Sequence, residues 1–219
     1  MNNRWFILGL FFVTRISLGF QFQTMGSTSD KVIYQLALNY AEIGTLIGLF
    51  MVPGLLLAIP AGLAGKFFSD KALIGFGLIA LSLGGVIAGL SQGFGFLSIG
   101  RLICGVGFVV STIFFAKVLI DWFEGKELAT AMSVLVMSWP FGIAMGQVGH
   151  GWLSASIDWR WAFFMASLYC GVSAALIILL YRGPEKEPRA KSSFTFSLNR
   201  AEVLLTLIAS LAWGCFNAG

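Results

Sequence analysis

Charged residues are scarce in this sequence. Lys, Arg, Asp and Glu make up 11% of the chain and apolar residues 58%, whereas ordinary globular domains carry about 25% charged residues. A chain of 219 residues with this composition is too apolar to fold as a soluble protein. The net charge of +4 is small and gives no indication of nucleic-acid binding. We therefore predict an integral membrane protein that has the lipid bilayer, and no nucleic acid, as a partner.

Residue types that carry enzyme chemistry are also scarce. The chain has one histidine and three cysteines, and all three cysteines lie inside apolar runs. This pattern is typical of small buried side chains and not of a disulfide framework or a metal site. The sequence contains no HExxH motif, no nucleophile elbow and no aspartate pair within an apolar run. We predict no catalytic residue, no metal and no cofactor, and a protein that is not an enzyme.

Six apolar runs approach or exceed the roughly 20 residues that a helix needs to cross a bilayer. They predict an all-α, polytopic membrane protein with a six-helix bundle at 1–182. A linker rich in Pro, Lys, Arg and Ser follows at 183–200, and a seventh run begins at 201–219. The polar segment Met25–Glu42 is predicted to form a short surface helix. The six runs are Trp5–Phe22, Ile43–Gly65, Ala72–Leu90, Phe96–Ile120, Leu128–Leu153 and Trp161–Tyr181.

Basic residues fall mainly on one side of these runs. With the N-terminus inside, ten of the fourteen Lys and Arg residues lie on the inner side, while only Lys31 and Arg160 lie outside. Lys and Arg accumulate in cytoplasmic loops, so the N-terminus and the linker are both predicted to be cytoplasmic. The inner residues are Arg4, Lys66, Lys71, Lys117, Lys126, Arg182, Lys186, Arg189, Lys191 and Arg200.

Two arginines lie within the apolar runs. A charge at membrane depth costs about 2.5–3.5 kcal/mol on insertion scales, so it normally faces a protein interior or a water-filled cavity. Arg15 lies about ten residues into the first run, roughly 15 Å deep at 1.5 Å per residue, which is hard to explain by snorkelling. Arg101 lies nearer the outer edge, where its side chain could reach the headgroups. For each arginine, cavity lining and structural hydrogen bonding remain alternatives.

No acidic residue lies within a run to neutralise these two cations, since all ten Asp and Glu residues fall in loops or at run ends. Two unpaired cations facing one cavity favour an anionic substrate. The alternative is that carboxylates of a second half of the protein pair with them. Polar side chains accompany both arginines at helical spacing, and the candidate cavity residues are Thr14, Arg15, Ser17, Gln21, Arg101 and Thr112.

Two further polar residues lie near run ends. Lys117 precedes Asp121 by four residues, the spacing of a surface ion pair on a helix. His150 lies near the outer end of the fifth run, which favours an interfacial histidine over a proton pathway.

Glycines are spaced for helix contact in several runs. Small residues four apart let helix backbones approach closely, and Pro140, just before one such pair, removes a backbone hydrogen bond. The pattern predicts close packing with a bend, and the same bend and groove would let two halves of a protein rock. The pairs are Gly44/Gly48, Gly85/Gly89 and Gly142/Gly146.

Short motifs fall at regular places along the runs. GRLICGVG at Gly100–Gly107 places an arginine before spaced glycines, and SWPFGIAMG at Ser138–Gly146 combines proline with glycine. These segments resemble the helix-four and helix-five motifs of the major facilitator superfamily. DWF at Asp121–Phe123 resembles its four–five loop, and WRWAF at Trp159–Phe163 resembles the start of its helix six.

The segment Pro60–Lys71 resembles the two–three loop signature of that family. Gly62 matches its first glycine, and Asp70 and Lys71 close the segment, with Lys71 as the closing basic residue. The acidic position, the following arginine and the second glycine are replaced, so the latch to the opposite half is built differently or is weaker. The replacing residues are Lys66, Phe67 and Ser69.

The resemblance implies the N-terminal six-helix half of a twelve-helix fold, plus the start of helix seven. A second six-helix half, expected in the same polypeptide, is absent from this sequence. RISLGFQFQ in the first run and SWPFGIA in the fifth most resemble bacterial cyanate and nitroimidazole porters, which implies a bacterial inner membrane. The implied conformational residues are Gly62, Asp70, Lys71, Gly105, Pro140, Gly142 and Gly146.

The implied function is secondary active transport of a small solute by alternating access, with a small organic or inorganic anion favoured by the buried cations. No nucleotide-binding motif is present, so an ion gradient is the expected energy source. The alternative is a non-transporting membrane receptor or scaffold, or an inactive half-transporter fragment.

Overall fold

The computed structural model describes residues 4–123 and 125–183, together with Leu204 and Ile208. All regular secondary structure in these residues is α-helical. The predicted seventh run at 201–219, apart from those two residues, and almost all of the predicted linker lie outside the described part. The helices are α1 (Arg4–Leu36), α2 (Tyr40–Leu49), α3 (Val52–Ala64), α4 (Asp70–Gly89), α5 (Phe94–Trp122), α6 (Gly125–Ser156) and α7 (Trp159–Leu180).

Six helical segments of the described residues are long and apolar enough to cross a membrane, with α2 and α3 together forming the second. The prediction of an all-α, polytopic membrane bundle is confirmed. The described residues 4–123 and 125–183 belong to one compact unit.

The first helix is longer than predicted. α1 continues to Leu36, so the segment expected to form a separate surface helix is largely its last third. Met25 and Val32 are fully buried there, and the hydroxyl of Thr28 is satisfied by the Thr24 carbonyl of the same helix at 2.7 Å. Apolar contacts and internal hydrogen bonding therefore prolong the helix despite its polar residues. The helix ends before Ala37, which has a left-handed φ of 51°.

The second span is interrupted at Phe50 and Met51, a break that the sequence analysis did not foresee. Pro53, the second residue of α3, has no backbone N–H and cannot continue the hydrogen-bond ladder of α2. The N-terminus of α2 is fixed by a capping box between Asn39 and Glu42. The second span is thus two helices, and of their two N-termini only that of α2 has a side-chain cap.

The helices pack in two groups that share α7. α1 packs against α6 and α7, while α4 packs against α5 and α7, and α3 lies on α5. A large apolar core, with Phe11, Phe114 and Phe115 fully buried, lies toward the start of α1. A smaller one, with Met25 and Trp159, lies toward its end. These two cores hold the bundle together at its opposite ends.

Glycines bring α4 and α5 into backbone contact. A Cβ atom added to Gly84 would lie 2.7 Å from the Gly100 carbonyl oxygen, and one added to Gly100 would lie 2.7 Å from the Gly84 carbonyl oxygen. Gly77 and Gly107 face each other in the same reciprocal way. The two pairs are each seven residues apart, which is two helical turns, so the helices touch at two successive levels.

The predicted glycine pairs differ in their surroundings. A Cβ on Gly142 of α6 would lie 2.9 Å from the backbone nitrogen of Phe20 on α1, so this glycine sits at a backbone contact. Gly44 and Gly48 of α2 have no atom within 4 Å of an added Cβ. Gly44 and Gly48 therefore do not mediate helix packing within the described residues.

Gly142→Ala is expected to lower the unfolding free energy by about 1–3 kcal/mol, because the added methyl group meets backbone that cannot rotate away. Gly151→Ala is the matched control on the same helix, since nothing lies within 4 Å of its added Cβ. The control is expected to be neutral or slightly stabilising, because alanine favours helix over glycine. Thermal melting of the two purified variants in detergent measures the difference, and equal melting temperatures would contradict this packing.

Candidate functional site

Arg101 lies in the interior of the bundle and is fully buried. Its Nε donates to the Leu46 carbonyl at 3.1 Å. Nη1 donates to the Gln21 carbonyl and the Thr24 hydroxyl at 3.5 and 3.4 Å, and Nη2 donates to the Phe22 carbonyl at 3.4 Å. All three guanidinium nitrogens therefore donate hydrogen bonds to α1 and α2, and Arg101 does not extend to the headgroups.

The Leu46 carbonyl, which accepts a hydrogen bond from Arg101, has no backbone partner within α2. Phe50, the residue that follows α2, donates its backbone N–H to the Ile47 carbonyl at 3.3 Å instead of to Leu46, so the Leu46 carbonyl is left at the helix C-terminus. A cation at this end also meets the negative pole of the helix dipole. The guanidinium carbon lies 4.6 Å from the centre of the Phe50 ring, within range of a cation–π interaction. Arg101 caps α2 from α5.

Arg15 reaches from α1 toward α6. Its Nη1 donates to the Leu135 carbonyl at 2.6 Å and to the Ser138 hydroxyl at 3.0 Å. Nε is buried without a partner, and Nη2 donates to none of the described residues. The residue retains 9% relative exposure, against 0% for Arg101. One nitrogen thus anchors Arg15 to α6 and Nε is enclosed, while Nη2 keeps donors that are neither enclosed nor bonded among the described residues.

Neither arginine makes an ion pair within the described residues. Ion pairs at helix ends join Arg4 to Glu127, Lys117 to Asp70 and Arg160 to Asp158. The positive charge of Arg15 is therefore compensated only by neutral acceptors in this part of the chain.

The other polar candidates on α1 are fully buried in the bundle and do not line an open surface. The Thr14 hydroxyl donates to the Leu10 carbonyl at 2.8 Å, and Ser17 donates to the Thr14 carbonyl at 2.7 Å. Hydroxyl groups satisfied by their own helix can be buried at little cost. Gln21 contacts the Cys104 sulfur at 3.5 Å, and its Oε1 has no partner. Most of this predicted stripe is packed against neighbouring helices.

The predicted face of α5 adjoins the break in the second span. A Cβ added to Gly105 would lie 2.8 Å from the Cγ of Pro53, so glycine permits the start of α3 to lie against α5. Thr112 is partly buried, and its hydroxyl has no partner in the described residues.

In α6, the groove predicted at Gly142 and Gly146 is occupied by α1. A Cβ on Gly146 would lie 2.9 Å from the Cβ of Gln23. Pro140 lies inside α6 on an exposed face. The first and fifth spans are thus in direct contact where the proline-glycine motif lies.

The loop candidates lie around the start of α4. Gly62 is exposed, with no atom within 4 Å of an added Cβ, and Lys71 is partly buried. Asp70 forms an ion pair with Lys117 of α5, whereas the i+4 spacing indicates Asp121 as the partner of Lys117. The pair ties the fourth span to the predicted loop signature.

The burial of His150 was not predicted from the sequence. His150 is fully buried in the bundle. Its Nε2 lies 2.9 Å from the Phe20 carbonyl, and its Nδ1 is buried without a partner. The position of His150 one turn after Gly146 was the available signal, because that spacing places it on the face in contact with α1. Among the described residues, no group of three His, Cys, Asp or Glu side chains could hold a metal ion.

A family model described as the Major Facilitator Superfamily matches residues 5–219. The chain therefore belongs to the Major Facilitator Superfamily. It is 26% identical over 198 residues to a probable 4-methylmuconolactone transporter of Cupriavidus pinatubonensis, covering 82% of this chain and 45% of the relative. It is 25% identical over 195 residues to the probable galactarate/D-glucarate transporter GarP of Escherichia coli, covering 86% and 44% respectively.

Solved structures share the fold. A bacterial homologue of the human lysosomal transporter Spinster, inward-facing and unoccupied, superposes with a TM-score of 0.71 at 20% identity, covering 87% of this chain and 46% of that one. A peptide transporter in complex with alafosfalin gives a TM-score of 0.66 at 13% identity, covering 97% and 46%. The chain spans about half the length of these proteins, as one six-helix half of the fold would. These relatives are transporters and not enzymes.

Arg101→Leu is expected to destabilise the bundle by about 3 kcal/mol. The reason is that the Leu46 carbonyl and the oxygen acceptors of α1 lose a charged hydrogen-bond donor. Arg4→Gln is the matched control at an exposed ion pair, where a loss of under about 1 kcal/mol is expected. Melting in detergent gives the comparison, and Arg101→Lys is expected to fall between the two. An Arg101→Leu protein as stable as Arg4→Gln would rule out the capping role.

Proposed function

We propose that this chain is the N-terminal half of a secondary active transporter that moves a small organic anion by alternating access. The observation that carries the anion preference is Arg15, a cation at membrane depth with one nitrogen anchored and two without hydrogen bonds in the described residues. Its second half is proposed to follow in the same polypeptide, after the linker at 183–200 and the start of the seventh span at 201–219.

The charge balance of the bundle supports an anion. Burying an uncompensated cation costs several kcal/mol after relaxation, and the described helices offer Arg15 only neutral acceptors. A bound carboxylate would supply the missing charge and accept from the guanidinium, which is suited to planar anions. The empty site would then resist closing to water, because closure would desolvate an unpaired charge. The loaded site would close more readily.

The names of relatives support an organic solute without choosing one. GarP is named for galactarate and D-glucarate, which are carboxylate anions. Another relative, from Arabidopsis thaliana and 34% identical over 140 residues, is named as a probable sphingolipid transporter. Superfamily membership therefore leaves the substrate open, and the anion proposal rests on Arg15. The finer resemblance to cyanate and nitroimidazole porters stays a proposal that rests on the first-run and fifth-run motifs.

Arg15→Gln is expected to reduce uptake of a transported organic anion at least tenfold, because it removes the charge and keeps a hydrogen-bond donor. Arg15→Lys is expected to retain part of the activity by keeping the charge. The measurement is uptake of radiolabelled organic acids into liposomes that contain the protein expressed from its natural gene. Arg4→Gln controls for loss of a surface cation. Unchanged anion uptake by Arg15→Gln would end this proposal.

We also propose a bacterial inner-membrane location with the N-terminus in the cytoplasm, on the ten-to-two distribution of basic residues. Tyr40, at the start of α2, and Phe67, between α3 and α4, are exposed aromatic residues on opposite sides of the membrane in this topology.

In a Cys215→Ser background, where the described cysteines Cys104 and Cys170 are buried, a membrane-impermeant maleimide is expected to label Tyr40→Cys in intact cells. Phe67→Cys is expected to react only after the cells are opened. The reverse labelling pattern would invert the topology.

A further inference from the structure

Four aromatic side chains from different parts of the bundle contact one another in a closed cycle. We call them the aromatic quartet: Phe22 of α1, Phe50 after α2, Phe108 of α5 and Trp139 of α6. The ring centres of Phe22 and Phe50 lie 5.3 Å apart, and those of Phe50 and Phe108 also lie 5.3 Å apart. Phe108 and Trp139 lie 4.8 Å apart, and Trp139 and Phe22 lie 5.3 Å apart. Each ring therefore touches two others.

The quartet has a sealed side and an open side. Phe50 is fully buried, with Arg101 stacked against it. The other three rings are partly exposed. The indole N–H of Trp139 donates to none of the described residues, and it is not among the buried atoms that lack a partner. The open side therefore combines aromatic surface with one accessible hydrogen-bond donor.

Within the described six-helix half, neither ordinary core packing nor lipid contact accounts for this open side, and in a fold of two halves the substrate binds where the halves face each other. Core rings are normally enclosed, and the N–H of a buried tryptophan normally finds a partner. Against hydrocarbon, an unpaired N–H has nothing to bond, which is costly. A polar, partly aromatic ligand would satisfy both the ring faces and the N–H.

The quartet adjoins Arg15 along the contact of α1 with α6. Arg15 is bonded to Ser138, the residue before Trp139. Arg15, Gly19 and Phe22 lie on one face of α1, since they are four and three residues apart. Gly19 brings that face against the backbone of Trp139. Arg15 and Phe22 are separated by about 10 Å of helix rise, a length that the arginine side chain and one small ring molecule can span together.

We infer that the quartet binds the planar, unsaturated body of an organic carboxylate whose charged group lies at Arg15. The inference rests on the proposed anion site and adds the chemical class of the substrate. Aromatic rings attract a flat conjugated ring through offset or edge contacts that a puckered saturated ring does not make equally well. In a ligand that carries an oxygen substituent on its ring, that oxygen would accept from the Trp139 N–H.

Benzoate and cyclohexanecarboxylate are suitable probes, because they share charge and ring size and differ in planarity and unsaturation. Equilibrium binding of both to the purified protein, expressed from its natural gene, gives an affinity ratio. The unaltered protein is expected to prefer benzoate by about fivefold. Trp139→Leu and Phe108→Leu are expected to bring the ratio close to one, and Trp139→Phe to leave it in between. Trp152→Leu, an exposed tryptophan on the same helix, is expected to keep the full preference.

The outcomes separate this inference from the proposed function. Equal affinity of the unaltered protein for the two probes, with binding of both lost in Arg15→Gln, would overturn the quartet and support the anion site. Binding of neither probe would overturn the quartet, and anion uptake that depends on Arg15 would still be measured separately. A benzoate preference that survives in Trp139→Leu and Phe108→Leu proteins whose thermal melting shows that they are folded would also overturn the inference.

Discussion

The structure depends on how a bilayer-embedded bundle satisfies a cation that has no counter-ion. Arg101 is fully buried, and its guanidinium is held by carbonyl and hydroxyl oxygens of α1 and α2. The break between α2 and α3 provides, at Leu46, a carbonyl that its own helix does not use. The break after α2 and the burial of Arg101 thus depend on each other, because the Leu46 carbonyl and the Arg101 guanidinium each supply the hydrogen-bond partner that the other lacks. Three helices are fixed together as a result.

Close backbone approach is the second constraint, and it determines which helices can form one rigid group. Facing glycines let α4 and α5 touch at Gly84 and Gly100, and Gly142 does the same between α6 and α1. In lipid, such contacts gain dispersion energy and no hydrophobic energy, so small residues decide the pairing. A transporter that rocks must keep these contacts intact and move elsewhere. The open glycines Gly44 and Gly48 of α2 are free of such contacts in the described residues.

The spans could be predicted from the sequence because length and hydropathy are local properties. The all-α membrane fold and the family followed from them and from short motifs. The break in the second span, the partner of Lys117 and the environment of Arg15 could not be predicted in the same way. Each depends on residues far apart in the chain: Asp70 lies 47 positions before Lys117, and Leu135 lies 120 positions after Arg15. Helical spacing gives the face a residue occupies but not the helix that it meets, so the burial of Thr14 and Ser17 was also missed.

The two arginines have the same charge and opposite states of hydrogen bonding, and this difference separates structure from function. A guanidinium carries five N–H donors. Arg101 engages all three of its nitrogens with fixed oxygens, so a ligand would have to displace part of the fold to reach it. Arg15 engages one nitrogen with α6, which fixes its position, has Nε enclosed, and keeps donors on Nη2 that no described residue uses. A binding site needs a charged group that is held in place but not saturated. Of these two residues, only Arg15 meets both conditions, and the partly exposed rings beside it give its ligand a surface to lie on.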